Sequence, residues 1–351
     1  MKNIIPVKVN KSILKKTFLN KDSTIKDAIK SLQKSSIQIS LVINHKSILV
    51  GTITDGDIRR ALINGYNLNN KVSKILNKKP FYIKTNTNIS NVAEMMIEND
   101  IKQVPVIDSK GIVSDLFTLK SLSAKKNDRT IIIMAGGFGK RMLPITNKIP
   151  KALVLVNDKP MIDHIIDLAK SYFYKNFIIS THYLKNHIFE HFKKSKFKDL
   201  NIQFLNEKKA LGTIGSLSLI NNKISSPIII FNCDVITNIN LDYLIEYHEK
   251  NKSDFTIVSK EFRTINPYGV IISRGKKVLN IIEKPEYKSV VMAGIYVISP
   301  SLLKLIKKNT YLQMNTFIEN IINKKKKVLV FPLHEKLKEY GFYNEIKKYN
   351  E

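Results

Sequence analysis

An α/β fold with a mixed, mostly parallel sheet, preceded by a smaller unit made of two related halves, is what this sequence predicts. From Thr130 onward, short apolar runs such as "IIIMA", "NFIIS" and "PIIIFNC" alternate with amphipathic stretches. That is the pattern of βαβ units whose sheet is covered on both faces. Beyond Asp254 the apolar runs crowd together ("FTIVSK", "YGVIIS", "VLNIIE", "VVMAGIYVI"), so the sheet is expected to turn mixed there. Before Thr130 the chain repeats itself. Ser23–Asn44 aligns with Thr87–Asp108 at an offset of 64 residues (87 − 23), each copy pairing a capped amphipathic helix with an apolar strand, "SLVIN" or "VPVID". Two such halves in tandem should bury their apolar faces against each other.

A length of 351 residues accommodates this plan. The expected domains are 1–124 (halves at about 14–70 and 80–122), a charged linker at 125–129 within "SAKKNDRT", and 130–351. In the larger domain the elements run in order. "IIIMA" is a strand, Met161 opens a helix through "IDHIIDLAKSYF", and "NFIIS" is a strand. "YLKNHIFEHFKK" is a helix, "NIQFLNE" a strand, "GTIGSLSLI" a helix and "PIIIFNC" a strand.

Apolar and charged contents of 43% and 25% describe a soluble globular protein, and a single cysteine, Cys233, excludes an internal disulfide and fits a reducing cytosol. The first residues, "MKNIIPVKVNKSILKK", hold no sustained apolar region, and no apolar run approaches the length of a membrane span. A cytoplasmic protein without membrane attachment is expected. The net charge of +29 is spread over scattered lysines ("KKNDR", "NKKKK") rather than gathered in one stripe with stacking aromatics. Nucleic acid is therefore not the expected partner, while a small polyanionic substrate would gain from the same field.

Chemistry concentrates in "MAGGFGKRMLPITNKIPKAL", Met134–Leu153, directly after an apolar strand. It is not a P-loop, because Met134 and Arg141 stand where glycine and Ser or Thr are required. Nor is it a dinucleotide fingerprint, because Met142 replaces the third glycine. Gly136, Gly137 and Gly139 allow backbone N–H groups to approach phosphate, Arg141 offers a bidentate fork and Lys151 a point charge. Ligands of open α/β sheets lie outside the carboxyl ends of the strands, and three further stretches fall there. In "LGTIGSL", Gly212 and Gly215 leave room for a flat base. In "NCDV", Asp234 follows a buried strand and suits Mg²⁺. "IIEKPE" supplies Glu283 and Lys284.

Together these stretches resemble the sugar-1-phosphate nucleotidyltransferases, whose signature Gly-Gly-x-Gly-x-Arg-Met-x-Pro-x-Thr, Pro-Lys and Lys-Pro-Met is matched by "GGFGKRMLPIT", "IPKAL" and "DKPM". "LGTIGSL", "NCDV", "NPYGVI", "EKP" and "AGIYV" follow in the family's order. The resemblance covers Thr130–Glu351 and implies a Rossmann-like domain. It implies that Ala135, Gly136, Gly137, Gly139, Leu211, Gly212 and Thr213 meet the nucleotide. Arg141, Lys151, Asp234 and Lys284 would carry catalysis, and Gly269, Glu283, Lys284 and Gly294 would face the sugar phosphate. Asp234 and Glu339 would hold Mg²⁺. The implied reaction moves a nucleoside monophosphate from an NTP, GTP by closest likeness, to a sugar-1-phosphate with release of pyrophosphate. Architecture is similar to the guanylyltransferases that activate glucosamine-1-phosphate for legionaminic-acid-type surface sugars. Mannose-, heptose- or glucose-1-phosphate transferases, or a decayed nucleotide-binding regulator, are the alternatives. Departures from the pattern are Met292 for Asn, Asn315 and Thr316 for Pro-Asp, Leu337 for Trp and Glu339 for Asp.

In the smaller domain "GTITDGDIRRAL" resembles the regulatory repeat of CBS (cystathionine-β-synthase-type) domains, with Thr54 and Asp57 at the positions that meet an adenosine nucleotide. The second copy, "GIVSDLFTLKSL", is read with Phe117 and Lys120 at those positions, a degenerate site. The pair either binds a nucleotide or serves as a packing and homo-oligomer module. Two other signals are read as structural. "HIFEH" (His187–His191) matches an inverted zinc-protease motif but sits on a surface crossover helix, and Cys233 closes a buried strand.

Overall fold

The computed structural model describes residues 4–87, 89–99, 101–121, 127–194, 197–221 and 224–341. Its contacts fall into two compact units, Met1–Lys125 and Lys126–Glu351. The first contains β1 (Ile4–Lys8), α1 (Lys11–Lys16), β2 (Phe18–Leu19), α2 (Ile25–Ser35), β3 (Ile39–Ile43), β4 (Leu49–Thr54) and α3 (Asp55–Ile63). Its second half contains β5 (Ile83–Lys84), α4 (Ile89–Glu98), β6 (Gln103–Ile107) and β7 (Val113–Ser121). The strands form two sheets, β2-β3-β4 and β1-β7-β6-β5.

The internal repeat is exact at the level of the ladders. Ile39 pairs with Thr54 and Gln103 with Thr118; Leu41 pairs with Thr52 and Pro105 with Leu116; both ladders bulge at the same step. The two turns clasp each other reciprocally, the Leu49 N–H donating to Gly111 O at 3.0 Å and the Val113 N–H to Ser47 O at 3.1 Å. Ile39, Leu41, Ile107 and Leu116 share one core, so the halves do bury their apolar faces together.

This register corrects one equivalence. A constant offset of 64 makes Thr118 and Ser121 the counterparts of Thr54 and Asp57, not Phe117 and Lys120. Phe117 is buried in the second half's core, and the side chain of Lys120 lies outside the described residues. Beyond Thr118 the chain stays extended and pairs with β1, so no helix starts where α3 starts in the first half. In that first half Thr54 and Asp57 form a capping box. The Thr54 hydroxyl and N–H both donate to Asp57 Oδ2, at 2.6 and 2.8 Å, and Asp57 Oδ1 accepts from Arg60 at 2.5 Å. Thr24 and Asp27 cap α2 in the same way.

The second unit runs β8 (Asn127–Met134), β9 (Leu155–Val156), β10 (Lys159–Pro160), α5 (Met161–Ser171), β11 (Tyr174–Thr181), α6 (Lys185–Phe192), β12 (Asn201–Asn206) and β13 (Ile228–Asn232). It continues with β14 (Val235–Thr237), α7 (Leu241–Lys250), β15 (Phe255–Ile265), β16 (Val270–Arg274), β17 (Lys277–Ile282) and β18 (Glu286–Ile298). It closes with α8 (Pro300–Leu303), α9 (Met314–Asn323), β19 (Val328–Pro332) and β20 (Leu337–Glu339). β8 begins at Asn127, inside the stretch expected as linker, because Asn127 already pairs with Tyr174 of β11 across a bulge; residues 122–126 lie outside the described part. Seven strands form one sheet in the order β12-β11-β8-β13-β18-β15-β19. β12, β11, β8 and β13 run parallel, β18 is antiparallel to both neighbours, and β19 is parallel to β15. The sheet is therefore mixed and mostly parallel, as its crowded later strands foretold.

Alternation along β8 explains why both faces are covered. Ile131 and Ile133 pack toward one core, with α5 and α7, and Ile132 toward the other, with α9. All three are fully buried. The expected helix "GTIGSLSLI" is only a short 3-10 turn, Gly215–Leu219, held down by the loop that precedes α9. Among the described residues no helix is long and apolar enough to cross a membrane.

Candidate active site

At the carboxyl ends of β11, β8 and β13 the chain leaves the sheet and encloses a cavity of about 440 Å³. The glycine loop forms one wall, and each glycine answers a different constraint. A Cβ on Gly136 would stand 2.6 Å from Glu207 Oε1. Gly139 has φ +64°, and a Cβ there would strike Thr146 Cγ2 at 2.7 Å while the Thr146 hydroxyl holds its carbonyl at 2.9 Å. Only Gly137 has nothing within 4 Å of its Cβ position. Two glycines thus let the loop pack on its own protein, and the third leaves the backbone open toward the cavity. Ala135 is buried below, its N–H given to Ser180 O at 3.2 Å; Arg141 is exposed at the cavity rim.

Lys151 and Asp234, 83 residues apart, form one ion pair, with Nζ 2.5 Å from Oδ2 and both side chains largely buried. Pro150, extended at ψ 142°, turns the chain into the short 3-10 helix Lys151–Leu153, which sinks Ala152 and directs Lys151 to the cavity. Asp234 is fixed from the other side. β14 pairs with β20 so that Val235 faces Glu339, and the Tyr340 N–H donates to Asp234 O at 3.0 Å. The Tyr296 phenol is pushed up to about 12, first by burial and then by the charges of Glu339 and Asp234. One buried ring therefore feels both carboxylates. Asp234, between β13 and β14, lines the cavity, whereas Glu339 of β20 is exposed and does not line it. A carboxylate oxygen suits a hard divalent cation, and the chain's own ammonium already occupies Asp234 Oδ2. Cys233, next to Asp234, is buried and its thiol is pushed up to about 12 by that burial and by the Asp234 charge, which makes it inert.

The third wall corrects an expectation. On the Cβ side of Gly212 and Gly215 the chain's own backbone fills the space. A Cβ on Gly212 (φ +82°) would meet Leu312 O at 2.5 Å, and one on Gly215 would meet Thr310 O at 2.6 Å. The segment Thr310–Leu312 lies on these glycines, sealed by Leu312 N–H to Leu211 O at 2.9 Å. Leu211 is buried, and the Thr213 hydroxyl accepts from Met314 N at 2.6 Å where α9 starts. Gly212 and Thr213 still line the cavity, together with Tyr311 from that segment.

Sequence reasoning missed Glu207. It follows β12 directly and lines the cavity, yet is buried. Oε2 accepts the Leu211 N–H at 2.8 Å and Oε1 lies beside Gly136. Burial raises its carboxyl above the ordinary value, against the Leu211 N–H, His182 and Ser180, which lower it. The signal was available: a carboxylate just past the end of a parallel strand, the argument that singled out Asp234.

The residues expected to face the sugar phosphate fall elsewhere. Gly269 and Glu283 oppose each other where the β16–β17 hairpin opens, a Cβ on Gly269 standing 3.0 Å from Glu283 Oε2. Lys284 is held at φ +44°. None of the three lines the cavity. Gly294, at φ +67°, packs against Asn232 of the cavity wall. His187 and His191 do not converge either. His187 is exposed, whereas His191 is buried, with Nε2 2.7 Å from Asp163 Oδ1; a helix expected on the surface thus buries one of its histidines in the core.

A family model described as nucleotidyl transferase matches residues 130–335, more than half of the chain. The chain belongs to the nucleotidyl transferase family. CBS domain models match residues 9–64 and 72–125 in front of the nucleotidyl transferase region. Among curated relatives, the mannose-1-phosphate guanyltransferase of Yarrowia lipolytica is 34% identical over 195 residues, 53% of this chain and 54% of that protein. The mannose-1-phosphate guanyltransferase of Pichia angusta is 33% identical over 213 residues, 58% of each chain. This chain thus spans little more than half the length of the curated relatives it matches. Among solved structures, HddC from Yersinia pseudotuberculosis superposes with a TM-score of 0.50 at 21% identity, over 63% of this chain and 97% of that one, a likeness of fold.

Proposed function

We propose that this nucleotidyl transferase moves GMP from GTP to a sugar-1-phosphate, giving a GDP-sugar and pyrophosphate. A phosphate oxygen of the sugar attacks the α-phosphorus in line, the bond to the β-phosphate oxygen breaks, and the electron pair leaves with pyrophosphate. A phosphate monoester is already a nucleophile at neutral pH, so no general base is needed. The chain's work is alignment and neutralisation of converging anions. The Gly137 backbone and the Arg141 fork receive the β- and γ-phosphates, and Lys151 turns from Asp234 to the α-phosphate. Asp234 and Glu339 would hold Mg²⁺, which supplies charge neutralisation to the phosphates. Glu283 and Lys284 would receive the sugar phosphate.

The observation that carries the choice of guanine is Glu207. An ionised carboxylate only accepts hydrogen bonds. Guanine is the nucleobase whose pairing edge offers two adjacent donors, N1–H and the exocyclic amine. Uracil, thymine and adenine present an acceptor beside each donor. The relatives named for mannose-1-phosphate make that sugar phosphate the first acceptor to test; glucosamine-1-phosphate rests on the CBS pair in front. Purified full chain with Mg²⁺, each NTP and a panel of mannose-, glucosamine-, glucose- and heptose-1-phosphates should release pyrophosphate with GTP far faster than with ATP, CTP, UTP or dTTP. Glu207→Gln should shrink the preference for GTP over UTP by about tenfold or more, since an amide presents a donor as well. Nucleotide binding without pyrophosphate release for any pair would instead make the chain a regulator.

A further inference from the structure

Beyond Ser259 and before Gly294, β15 and β18 leave the seven-stranded sheet as a two-stranded arm capped by the β16–β17 hairpin. β19 pairs with β15 only as far as Ser259, and β13 pairs with β18 only from Ile295. Among the described residues no other strand pairs with Lys260–Ile265, so one edge of the arm offers a row of backbone donors and acceptors. The arm is apolar on both faces and exposed. Val290 is 72% exposed, Ile265 64%, and Ile271 and Ile281, cross-strand partners in the hairpin, 61% each. Phe262, Tyr268 and Tyr287 are exposed as well. Taken together this is on the order of 1,000 Å² of apolar surface, more than a monomer ordinarily shows and comparable to one partner's share of a stable interface. An isolated two-stranded ribbon is also marginal in water, and a third strand is what such an edge lacks.

We infer that the arm is an interface with a second copy of this chain, in which Lys260–Ile265 pairs antiparallel with itself about a twofold axis at Phe262. Charge on that edge argues for self-pairing. A lysine, a glutamate and an arginine on a strand edge ordinarily oppose the approach of another strand. With Phe262 opposite its own copy, Glu261 faces Arg263 of the partner subunit and the reverse pair forms by symmetry. Lys260 then falls opposite a neutral threonine. Within the protomer Arg263 Nε already sits 2.6 Å from Glu261 Oε1, which places both side chains on one face of the strand, clear of the Phe262 face. An isologous contact requires such self-complementarity, and a different protein would not be expected to repeat the alternation in reverse. This surface is distinct from the CBS pair, and the inference does not depend on the transfer reaction.

Sedimentation equilibrium on the full chain should show a dimer. Glu261→Arg and Arg263→Glu should each weaken it by roughly tenfold or more, since every cross-subunit pair becomes a like-charge contact, and the double exchange Glu261→Arg/Arg263→Glu should restore it. Circular dichroism verifies that the variants are folded. A second measurement on the unaltered chain is hydrogen exchange at the amides of Lys260–Ile265, whose protection should fall on dilution in step with dissociation. A monomer at all concentrations, a dimer that neither single exchange weakens, or protection independent of concentration would overturn the inference.

Discussion

Around the cavity, Gly136, Gly139 and Gly212 each hold a neighbouring atom so close that a single methyl group would strike it, whereas Gly269 and Glu283 face each other on a ribbon exposed along its length. The cavity wall is assembled from backbone contacts inside one packed domain. The residues expected to meet the sugar phosphate ride on an arm that the packed domain does not fix. Their geometry thus depends on whatever holds the arm, and the two halves of the site should respond differently to mutation.

The largest effects should come from the packed wall. Lys151→Ala and Asp234→Asn each should lower turnover by at least ~10²-fold with the fold intact, because both groups are proposed to meet transferring phosphates or their metal. Steady-state pyrophosphate release together with circular dichroism checks this, and near-normal turnover in either variant contradicts the assigned site. Glu339→Gln should raise the Mg²⁺ needed for half-maximal rate; an unchanged Mg²⁺ dependence removes Glu339 from the ligand set.

On the arm, Glu283→Gln and Lys284→Ala should raise KM for the sugar phosphate by about tenfold while leaving KM for GTP near its original value. Equal changes in both constants would mean that the two halves of the site are not separable.

A smaller effect probes the N-terminal unit, where two helix starts share one geometry. Asp57→Ala and Asp27→Ala should each cost about 1 kcal/mol, the loss of a capping box. Equal losses in denaturant titrations mark Thr54–Asp57 as a cap. A rise in Tm with AMP that Asp57→Ala alone abolishes would mark it as a ligand site too.

A further effect, set by pH, lies in the core behind the wall. Burial pushes the His248 imidazole down to about 4 against the opposing pull of Glu249 and Asp254. Its two nitrogens lie 2.9 Å from the Thr256 and Ser299 hydroxyls. The unfolded chain takes up that proton near 6.5, so the contribution to stability is complete above pH 6.5 and is lost as pH falls toward 4. In His248→Asn the decline of Tm over this window should be shallower; an identical decline assigns the acid sensitivity to other groups.

Much of the wall was legible because its constraints are local. A strand end followed directly by three glycines announces a loop whose backbone can approach its surroundings, and Gly136, Gly137 and Gly139 do line the cavity. The doubled half-domain was legible from its helix and strand pattern, but the positions matching Thr54 and Asp57 were read one residue off in the second copy, although the offset of 64 runs unchanged through the same bulge in both ladders. Glu207 was overlooked among the lysines of "NEKKAL". The atoms that fill the space beside Gly212 come from Leu312, 100 residues away, and the pairing of Lys151 with Asp234 spans almost as much chain. Such contacts follow from topology. The arm shows the converse: its apolar alternation predicts buried strands, and the single chain buries neither face.

Cys233 is the chain's one thiol, and it sits at the carboxyl end of a central strand directly beside Asp234. It lines the cavity yet is buried and held protonated at neutral pH, so a reagent reaches it through that cavity or when that end of the sheet parts. Its rate of labelling is therefore a clock for access to the carboxyl end of the sheet beside Asp234. A nucleotide seated in the cavity between the glycine loop and Asp234 should slow the clock, so that one mass measurement reads occupancy in a protein carrying no other thiol.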